Sequence, residues 1–330
     1  MPPRLYFSRE AAALSSDAEL RRLCRRGVMI RLAAGVFIAI DEWEGLDSDA
    51  RYRTLVSAMA HRSANPATTS HESAAALWRL PTIGPWSQRV HQLAPPGTDS
   101  ATQVRVTRHR GPDDPLATVI DGVLVTSLER TVVDVARTLP FVRSVPMLDS
   151  AFRPARRGDP RSGWAVDHTE SAAALALLDE IGPSLGDSRA RRALAFSDGA
   201  SGSAGESLCR VQFLALGFPA PVLQHELVDD LGSIGFADFY WPELDLAVEF
   251  DGKSKYGADR LYDTSRSMQE ILVREKERED RARDVVRHFT RLGWAHAIDR
   301  RRIVAKLGRF GLVASARTLS RTTAPEYGIR

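Results

Sequence analysis

Cysteine is scarce in this chain, because Cys24 and Cys209 are the only two among 330 residues. Two cysteines so far apart in sequence predict neither a disulfide framework nor a cluster of thiolate metal ligands. Long hydrophobic runs are missing as well: no stretch approaches the roughly 18 apolar residues of a membrane span, and the N-terminus lacks the apolar block of a signal peptide. The composition, 43% hydrophobic and 26% charged residues, is that of a globular chain. We therefore predict a folded, soluble, cytoplasmic protein with no membrane partner.

Lysine is absent from the first 252 residues, and Lys253 is the first one in the chain. Residues 1–165 carry 22 arginines against 17 acidic residues, although the formal net charge of the whole chain is only +3. An arginine excess of this kind favours contact with phosphate groups, because the guanidinium fork matches their geometry. The same excess also follows from the codon bias of a GC-rich genome. Charge alone therefore does not choose between these explanations.

Two segments rich in proline, glycine and serine, at 153–163 and 197–205, divide the sequence. Short helices are predicted between them, at 167–178 and 188–196. A length of 330 residues suggests two or three domains. The predicted organisation is a front module at 1–45, an α+β domain at 46–152, a linker with bridging helices at 153–203, an α/β domain at 204–312 and a C-terminal tail at 313–330.

The front module has short elements in an informative order. Ser8 caps a first helix, a second helix begins near Asp17, and strands at 29–32 and 36–40 form a hairpin. Helix, turn, helix, hairpin is the order of a winged helix, whose second helix enters the major groove of DNA. Five residues on and after that helix are predicted to contact phosphate, namely Arg21, Arg22, Arg25, Arg26 and Arg31. The alternative is that these arginines only form the solvated face of a short helix.

The region that follows carries no recognisable catalytic pattern. Residues 51–152 lack a metal-ligand spacing, a glycine-rich phosphate loop and a nucleophile elbow. His71, near the start of a predicted helix, is expected to cap or pack rather than act as a base.

Three motifs in this front half nevertheless carry a family resemblance: LRRLCRRGVMIRLAAGVFIAI, TSHESAAALWRLP and GVLVTSLERTVVDVAR. In that order they resemble the AbiEi antitoxin family of type IV toxin–antitoxin systems, over about the first 150 residues. The resemblance implies a winged helix, binding of the protein to the DNA of its own operon, and a toxin as a further partner.

The back half has a clearer chemical signal. Its predicted elements form an αβββαβ order, with helices at 204–214 and 265–283 and strands at 221–228, 235–240, 244–251 and 285–289. Asp238 lies on the second strand, and Glu249 and Asp251 end the third. Because side chains alternate along a strand, Glu249 and Asp251 share a face and are expected to converge with Asp238. Three carboxylates at one end of the sheet are suitable ligands for Mg²⁺ or Mn²⁺. Either ion can activate water for attack on a phosphodiester.

The segments ESLCRVQFLALGFPAPVLQ, FADFYWPELDLAVEFDGKSKY and REKEREDRAR extend this signal. They resemble the very-short-patch repair endonuclease-like domains of the PD-(D/E)XK superfamily, over roughly residues 200–312. The resemblance implies a restriction-endonuclease-like α/β core. It makes Asp238, Glu249 and Asp251 the acidic positions, Glu206 the position on the first helix, and Lys253 and Lys255 the basic positions after the strand.

The role of Lys253 depends on how the (D/E)XK triplet is aligned. If Asp238 and Glu249 are the reference acids, the lysine position holds Asp251; if Asp251 is the second acid, Lys253 fits. In the second case Lys253 would orient the nucleophile or hold a phosphate oxygen as a point charge.

Structural explanations also exist for these motifs. VEFDG is typical of a strand that ends in a turn, where Asp and Gly serve the backbone. The segment REKEREDRAR is most simply a solvated helix face with ion pairs four residues apart, which includes Glu275, Glu277 and Glu279. The sequence therefore predicts a DNA-binding protein with a metal-dependent endonuclease domain. The alternative is an AbiEi-type antitoxin and transcriptional repressor whose nuclease-like domain is catalytically idle.

Overall fold

The computed structural model describes residues 3–8, 17–62, 67–95, 98, 100–102, 104–155, 159, 161, 168–252 and 268–314. The chain divides into two compact units, Met1–Ser197 and Asp198–Arg330. Both contain helices and small sheets, so the mixed α and β class predicted from the sequence is confirmed. Among the described helices, none combines the length and the apolar composition needed to cross a membrane.

The N-terminal unit contains eight short strands and eight helices within its described residues. In chain order these are β1 (Tyr6–Phe7), α1 (Asp17–Arg25), β2 (Met29–Ala33), β3 (Val36–Ala39), α2 (Ile40–Glu44), α3 (Ser48–Ala60), α4 (His71–Leu77), β4 (Val90–Leu93), β5 (Ala101–Thr102), β6 (Val106–His109), β7 (Thr118–Ile120), β8 (Val123–Val125), α5 (Leu128–Thr138), α6 (Phe141–Phe152), α7 (Ser171–Ile181) and α8 (Asp187–Phe196).

The front of this unit is a small antiparallel sheet in the order β1-β3-β2, against which helix α1 packs. Leu20 of α1 is buried against Met29 and Phe37, because its side chain is on the apolar face of the helix. The predicted second helix and hairpin are therefore present. The predicted first helix falls largely on residues 9–16, which lie outside the described residues, and β1 had no sequence signal.

The remaining elements of the unit surround one hydrophobic core. Strands β4, β6 and β5 form one sheet and β7 and β8 a hairpin. Helices α7 and α8, predicted to bridge two halves, contribute buried Leu178 and Leu194 to the core that also contains Leu32 and Val133. The apolar faces of these two helices must be buried, and a hydrophobic core buries them whereas an exposed linker would not. Residues up to Phe196 thus belong to the N-terminal unit.

The C-terminal unit has the predicted αβββαβ order, followed by two short helices. Its elements are α9 (Ala204–Leu216), β9 (Val222–Asp229), β10 (Gly232–Trp241), β11 (Leu246–Asp251), α10 (Met268–Val285), β12 (His288–Gly293), α11 (Trp294–Ala297) and α12 (Arg300–Leu307). The strand order is β12-β11-β10-β9, in which β11 and β12 are parallel and the other pairs antiparallel. The last strand begins later than predicted, because α10 continues to Val285.

Both faces of this sheet are packed against helices. Phe213 of α9 makes edge-to-face contacts with Phe239 and Trp241, at centroid distances of 5.1 and 5.2 Å. Tyr240 alternates with these two residues and packs in a second cluster that includes Ala282 of α10. The sheet is therefore held between α9 and α10, and the ends of β10 and β11 lie between polar parts of these helices.

Candidate functional site

The five arginines predicted to contact DNA are all exposed on the described surface. Arg21, Arg22 and Arg25 are on α1, Arg26 follows it, and Arg31 is on β2. The Nε–H of Arg31 donates a hydrogen bond to its own strand at Ala33 O (3.2 Å). Leu20, on the opposite face of α1, is buried. Helix α1 thus presents a basic face outward, an arrangement that serves either phosphate contact or simple solvation.

In the C-terminal unit, Asp238 lies where two paired strands diverge. The pairing of β10 with β11 ends at Phe239 and Val248, although both strands continue beyond that point. In place of the interrupted ladder, the backbone N–H of Phe250 donates to Asp238 Oδ2 at 2.6 Å. The carboxylate of Asp238 is thereby fixed at the opening between the strands.

Gln224 joins this carboxylate to a second one. Its Nε2 donates to Asp238 Oδ1 at 3.0 Å and to Glu206 Oε2 at 3.4 Å. Gln224 has a backbone φ of +49°, a left-handed conformation that is uncommon for residues other than glycine, asparagine and aspartate and that often marks a functional site or a tight turn. The sequence analysis did not identify Gln224, because a single glutamine on a strand gives no signal.

Glu206 has a local structural role besides this contact. Ser203 caps α9, accepting from the Glu206 N–H and donating through its hydroxyl to Glu206 Oε1 (2.8 Å). The N–H of Gly202 donates to Glu206 Oε2 at 2.6 Å. Ser-x-x-Glu is the pattern of a capping box, which satisfies backbone N–H groups at a helix start. The position of Glu206 is thus explained by the helix start, while its carboxylate also reaches Gln224.

Glu249 is held by arginines from α10 and β12. Arg278 donates to both of its carboxylate oxygens, at 2.8 and 3.1 Å, and Arg291 lies 3.1 Å from Oε2. The same two arginines bind Glu275, and Arg291 also pairs with Glu279 at 3.1 Å. Glu275 and Glu279 form ion pairs within α10, with Arg278 and Arg283 respectively, as the sequence indicated, and Arg291 also links both of them to the sheet, which the sequence did not indicate.

Burial and neighbouring charges shift the pKa of two groups in this region. Burial raises the pKa of Asp238, and the Glu249 carboxylate adds to that rise, against hydrogen bonds from Phe250 and Gln224. Burial also raises the pKa of the Cys209 thiol, with smaller contributions from Glu206 and Asp238. Of the predicted site residues, Glu206 and Asp238 are joined through Gln224, whereas Glu249 is bound by Arg278 and Arg291.

The remaining predicted site residues, Asp251 and Lys253, are not brought together with Asp238 in the described part of the structure. Asp251 is half-buried at the end of β11, in register with Gly293, and Lys253 and Lys255 lie outside the described residues. In the part of the chain that the structure describes, no group of three or more His, Cys, Asp or Glu side chains is arranged to hold a metal ion. The convergence of three carboxylates expected from strand alternation is not found there. Asp238 turns toward the gap between strands, and Glu249 turns toward Arg278.

The structure also contains a histidine stack that the sequence analysis missed. The rings of His71 and His109 stack with centroids 3.6 Å apart, and His91 Nδ1 lies 2.8 Å from His109 Nε2. His71 Nδ1 is 3.5 Å from Asp134 Oδ2, a buried carboxylate whose other oxygen accepts from Arg130. Burial lowers the pKa of His91 and of His109 to about 4. The three histidines come from separate elements, so no spacing in the sequence could indicate the stack.

Comparison with known proteins identifies distant relatives without a described function. No protein-family model matches the chain. The uncharacterized proteins MT2308 and Rv2248, from two strains of Mycobacterium tuberculosis, are each 34% identical to it over 132 residues. The match covers 40% of this chain and 44% of each relative. The chain is thus similar to part of these mycobacterial proteins.

Proposed function

We propose that the C-terminal unit is a metal-dependent phosphodiester hydrolase that acts on nucleic acid, and that the N-terminal unit binds duplex DNA. The observation that carries the proposal is the Asp238 carboxylate at the opening between β10 and β11, where the Phe250 N–H and Gln224 hold it and Gln224 also reaches the Glu206 carboxylate. A buried carboxylate beside a second one favours a neighbouring cation, because the two negative charges repel each other. The αβββαβ order and the resemblance to very-short-patch repair endonucleases support the same function.

The residues at this opening fit a divalent cation by their chemistry. Asp238 and Glu249 would hold Mg²⁺ or Mn²⁺ through oxygen, since Mg²⁺ is commonly bound by one or two carboxylates together with water and substrate phosphate. When bound, such an ion supplies an activated water and neutralises charge on the phosphate. Gln224 and the Phe250 N–H hold the Asp238 carboxylate in place. Arg278 would exchange part of its contact with Glu249 for a substrate phosphate, since guanidinium binds both groups in the same way.

Cleavage assays with the full chain test the proposal. Supercoiled, mismatched and single-stranded DNA, and RNA, are incubated with the protein and Mg²⁺, Mn²⁺ or Ca²⁺. We expect hydrolysis with Mg²⁺ or Mn²⁺ that falls at least about 100-fold in Asp238→Ala and in Glu249→Ala. Asp230→Ala, an exposed acid in the turn between β9 and β10, is the matched control and should cleave like the wild type. Equal activity of the wild type and Asp238→Ala, or no cleavage of any substrate, would exclude this function.

A second candidate has its own supporting observation. Glu249 is bound on both oxygens by Arg278, with Arg291 beside it, so a cation must displace an ion pair already formed. This favours a catalytically idle unit in a DNA-binding repressor, in line with the resemblance of the front half to AbiEi antitoxins. Folds of catalytic families often host inactive members, so the fold does not decide between the two.

DNA binding by the front half is measured by gel shift over a range of salt concentrations. The affinity for duplex DNA should fall as salt rises, and each lost phosphate contact should reduce the log–log slope by about one. A variant with alanine at Arg21, Arg22, Arg25 and Arg31 is compared with Arg192→Ala, an exposed arginine on α8 of the same unit. Unchanged binding by the fourfold variant would show that α1 is not the contact surface. Co-purification with a toxin-like partner would favour the repressor.

A further inference from the structure

A cavity of about 710 Å³ in the N-terminal unit has two contrasting walls. One wall is apolar and includes Leu5, Phe7 and Leu46, which also pack against the hydrophobic core. The other wall carries the guanidinium groups of Arg53 on α3 and Arg79 just after α4. The volume is in the range of cavities that bind small organic ligands. None of these residues belongs to the proposed nuclease site or to the basic face of α1.

Arg53 has no hydrogen-bond or ion-pair partner among the described residues, although it is only partly exposed. Burial lowers its pKa, and the positive charge of Arg79 lowers it further. Asp49, Asp47 and Asp121 act in the opposite direction, although none of them forms an ion pair with Arg53. The guanidinium carries five N–H donors that are available to an oxyanion in the cavity. This arrangement is stabilised when an anion binds.

The backbone conformation of Arg79 supports the same conclusion. It follows helix α4 with a φ of +57°, and the N–H groups of Arg79 and Leu80 bond back to Ala76 and Ala75, as at a helix C-terminus. Glycine is the usual residue in this left-handed position, because a side chain there is strained. Here the side chain donates to Asp121 Oδ2 (3.0 Å), while its buried Nε–H has no partner among the described residues. An arginine at a glycine position thus places a second, incompletely bonded guanidinium at the cavity.

We propose that this cavity binds a small organic phosphate, with its phosphate group between Arg53 and Arg79 and its apolar or aromatic part against Leu5, Phe7 and Leu46. Two guanidinium groups match the oxygens of a phosphate bidentately, and among the residues that line the cavity their two positive charges exceed the one negative charge, that of Asp121. Asp47 and Asp49 are near Arg53 but accept hydrogen bonds from the Ala50 N–H and from Trp86. The apolar wall gives preference to a phosphate ester over inorganic phosphate, because only the ester buries apolar surface there.

Calorimetric titration of the full chain with phenyl phosphate tests the proposal. We expect saturable binding that is weakened about tenfold or more in Arg53→Ala, since a charge-assisted hydrogen-bond pair is lost. Arg105→Ala, which removes an exposed arginine outside the cavity, should bind like the wild type. Inorganic phosphate should bind several-fold more weakly than phenyl phosphate.

Arg79→Gly is a second variant, which tests the proposal even if the Arg53→Ala protein does not fold. Glycine suits the left-handed backbone at this position, so the fold should be retained while the guanidinium is removed. We expect weaker binding of phenyl phosphate with a melting temperature close to that of the wild type.

Three results would overturn the proposal. The first is the absence of phenyl phosphate binding up to about 10 mM, which corresponds to a negligible binding free energy. The second is equal affinity of the wild type, Arg53→Ala and Arg79→Gly. The third is displacement of phenyl phosphate by a short DNA duplex whose own affinity falls to the same extent in Arg53→Ala, because the cavity would then contact the phosphate backbone of DNA.

Discussion

The ion pair between Arg278 and Glu249 decides how the C-terminal unit is interpreted, and it can be broken by one substitution. Arg278→Met removes the guanidinium and keeps a long apolar stem that packs on α10. After the substitution, Arg291 can still form ion pairs with Glu249, at 3.1 Å, and with Glu275, at 2.9 Å. No carboxylate of the network is then without an arginine.

The size of the effect follows from this remaining partner. The side chains of Glu249 and Arg278 are 12% and 28% exposed, so the pair lies between a surface and a buried ion pair. Removing one partner of a fully buried pair costs about 3–5 kcal/mol, and surface pairs contribute about 0–1 kcal/mol. Because Arg291 still compensates Glu249, we expect Arg278→Met to lower the free energy of unfolding by about 1–2 kcal/mol.

Urea unfolding of the full chain, followed by circular dichroism, measures this loss. Glu249→Gln and the double variant complete a mutant cycle, in which we expect a coupling energy of about 1 kcal/mol. Arg274→Met, an exposed position on the same helix, is the control and should change the midpoint little. A coupling energy near zero would refute the ion pair. If cleavage activity is present and rises in Arg278→Met, this arginine restrains Glu249 in the resting protein.

Three further predictions concern the remaining parts of the fold. Glu206→Ala should destabilise the protein by about 1 kcal/mol through loss of the capping box, and Glu206→Gln by less, as measured by urea midpoints. Phe213→Ala should cost about 3–5 kcal/mol, whereas its exposed neighbour Leu214→Ala should cost under about 0.5 kcal/mol; similar losses would contradict the core packing. Folding lowers the pKa of His91 and His109 from 6.5 to about 4, so the unfolded chain binds more protons in this range and stability falls as the pH drops through it. The melting temperature should therefore fall from pH 7 to pH 4.5, and less steeply when both histidines are replaced by asparagine; parallel curves would contradict this.

The order of the elements could be predicted because it depends on local patterns. The glycine at 217 ends α9 with a φ of +71°, and the alternation of buried and exposed residues marks β10. These signals lie within a few residues of the element they specify. The helices at 171–181 and 187–196 were found for the same reason. Their packing on the N-terminal core was not, since it depends on a partner surface formed by residues far away in sequence.

For the carboxylate site, the sequence could predict which acidic residues are candidates but not how their side chains are arranged. Strand alternation predicted that Asp238, Glu249 and Asp251 converge, whereas Asp238 is bonded to the Phe250 N–H and Gln224, and Glu249 to Arg278. It gave no information on Arg278, which comes from another element, or on Gln224, whose unusual backbone conformation has no sequence signature. Side-chain direction at a site is set by hydrogen bonds and ion pairs with such distant residues, which a pattern along one strand does not contain.

Asp238 shows how a structural and a chemical role can occupy the same position. Where β10 and β11 diverge, the Phe250 N–H loses its ladder partner, and a carboxylate is a stronger acceptor for it than a neutral group. The divergence also makes room beside that carboxylate for a ligand. Placing a buried acid there raises its pKa and is unfavourable in the absence of a cation. A neutral asparagine would bond the same N–H without this charge, so Asp238→Asn separates the two roles: it should keep the hydrogen bond to Phe250 and remove the negative charge.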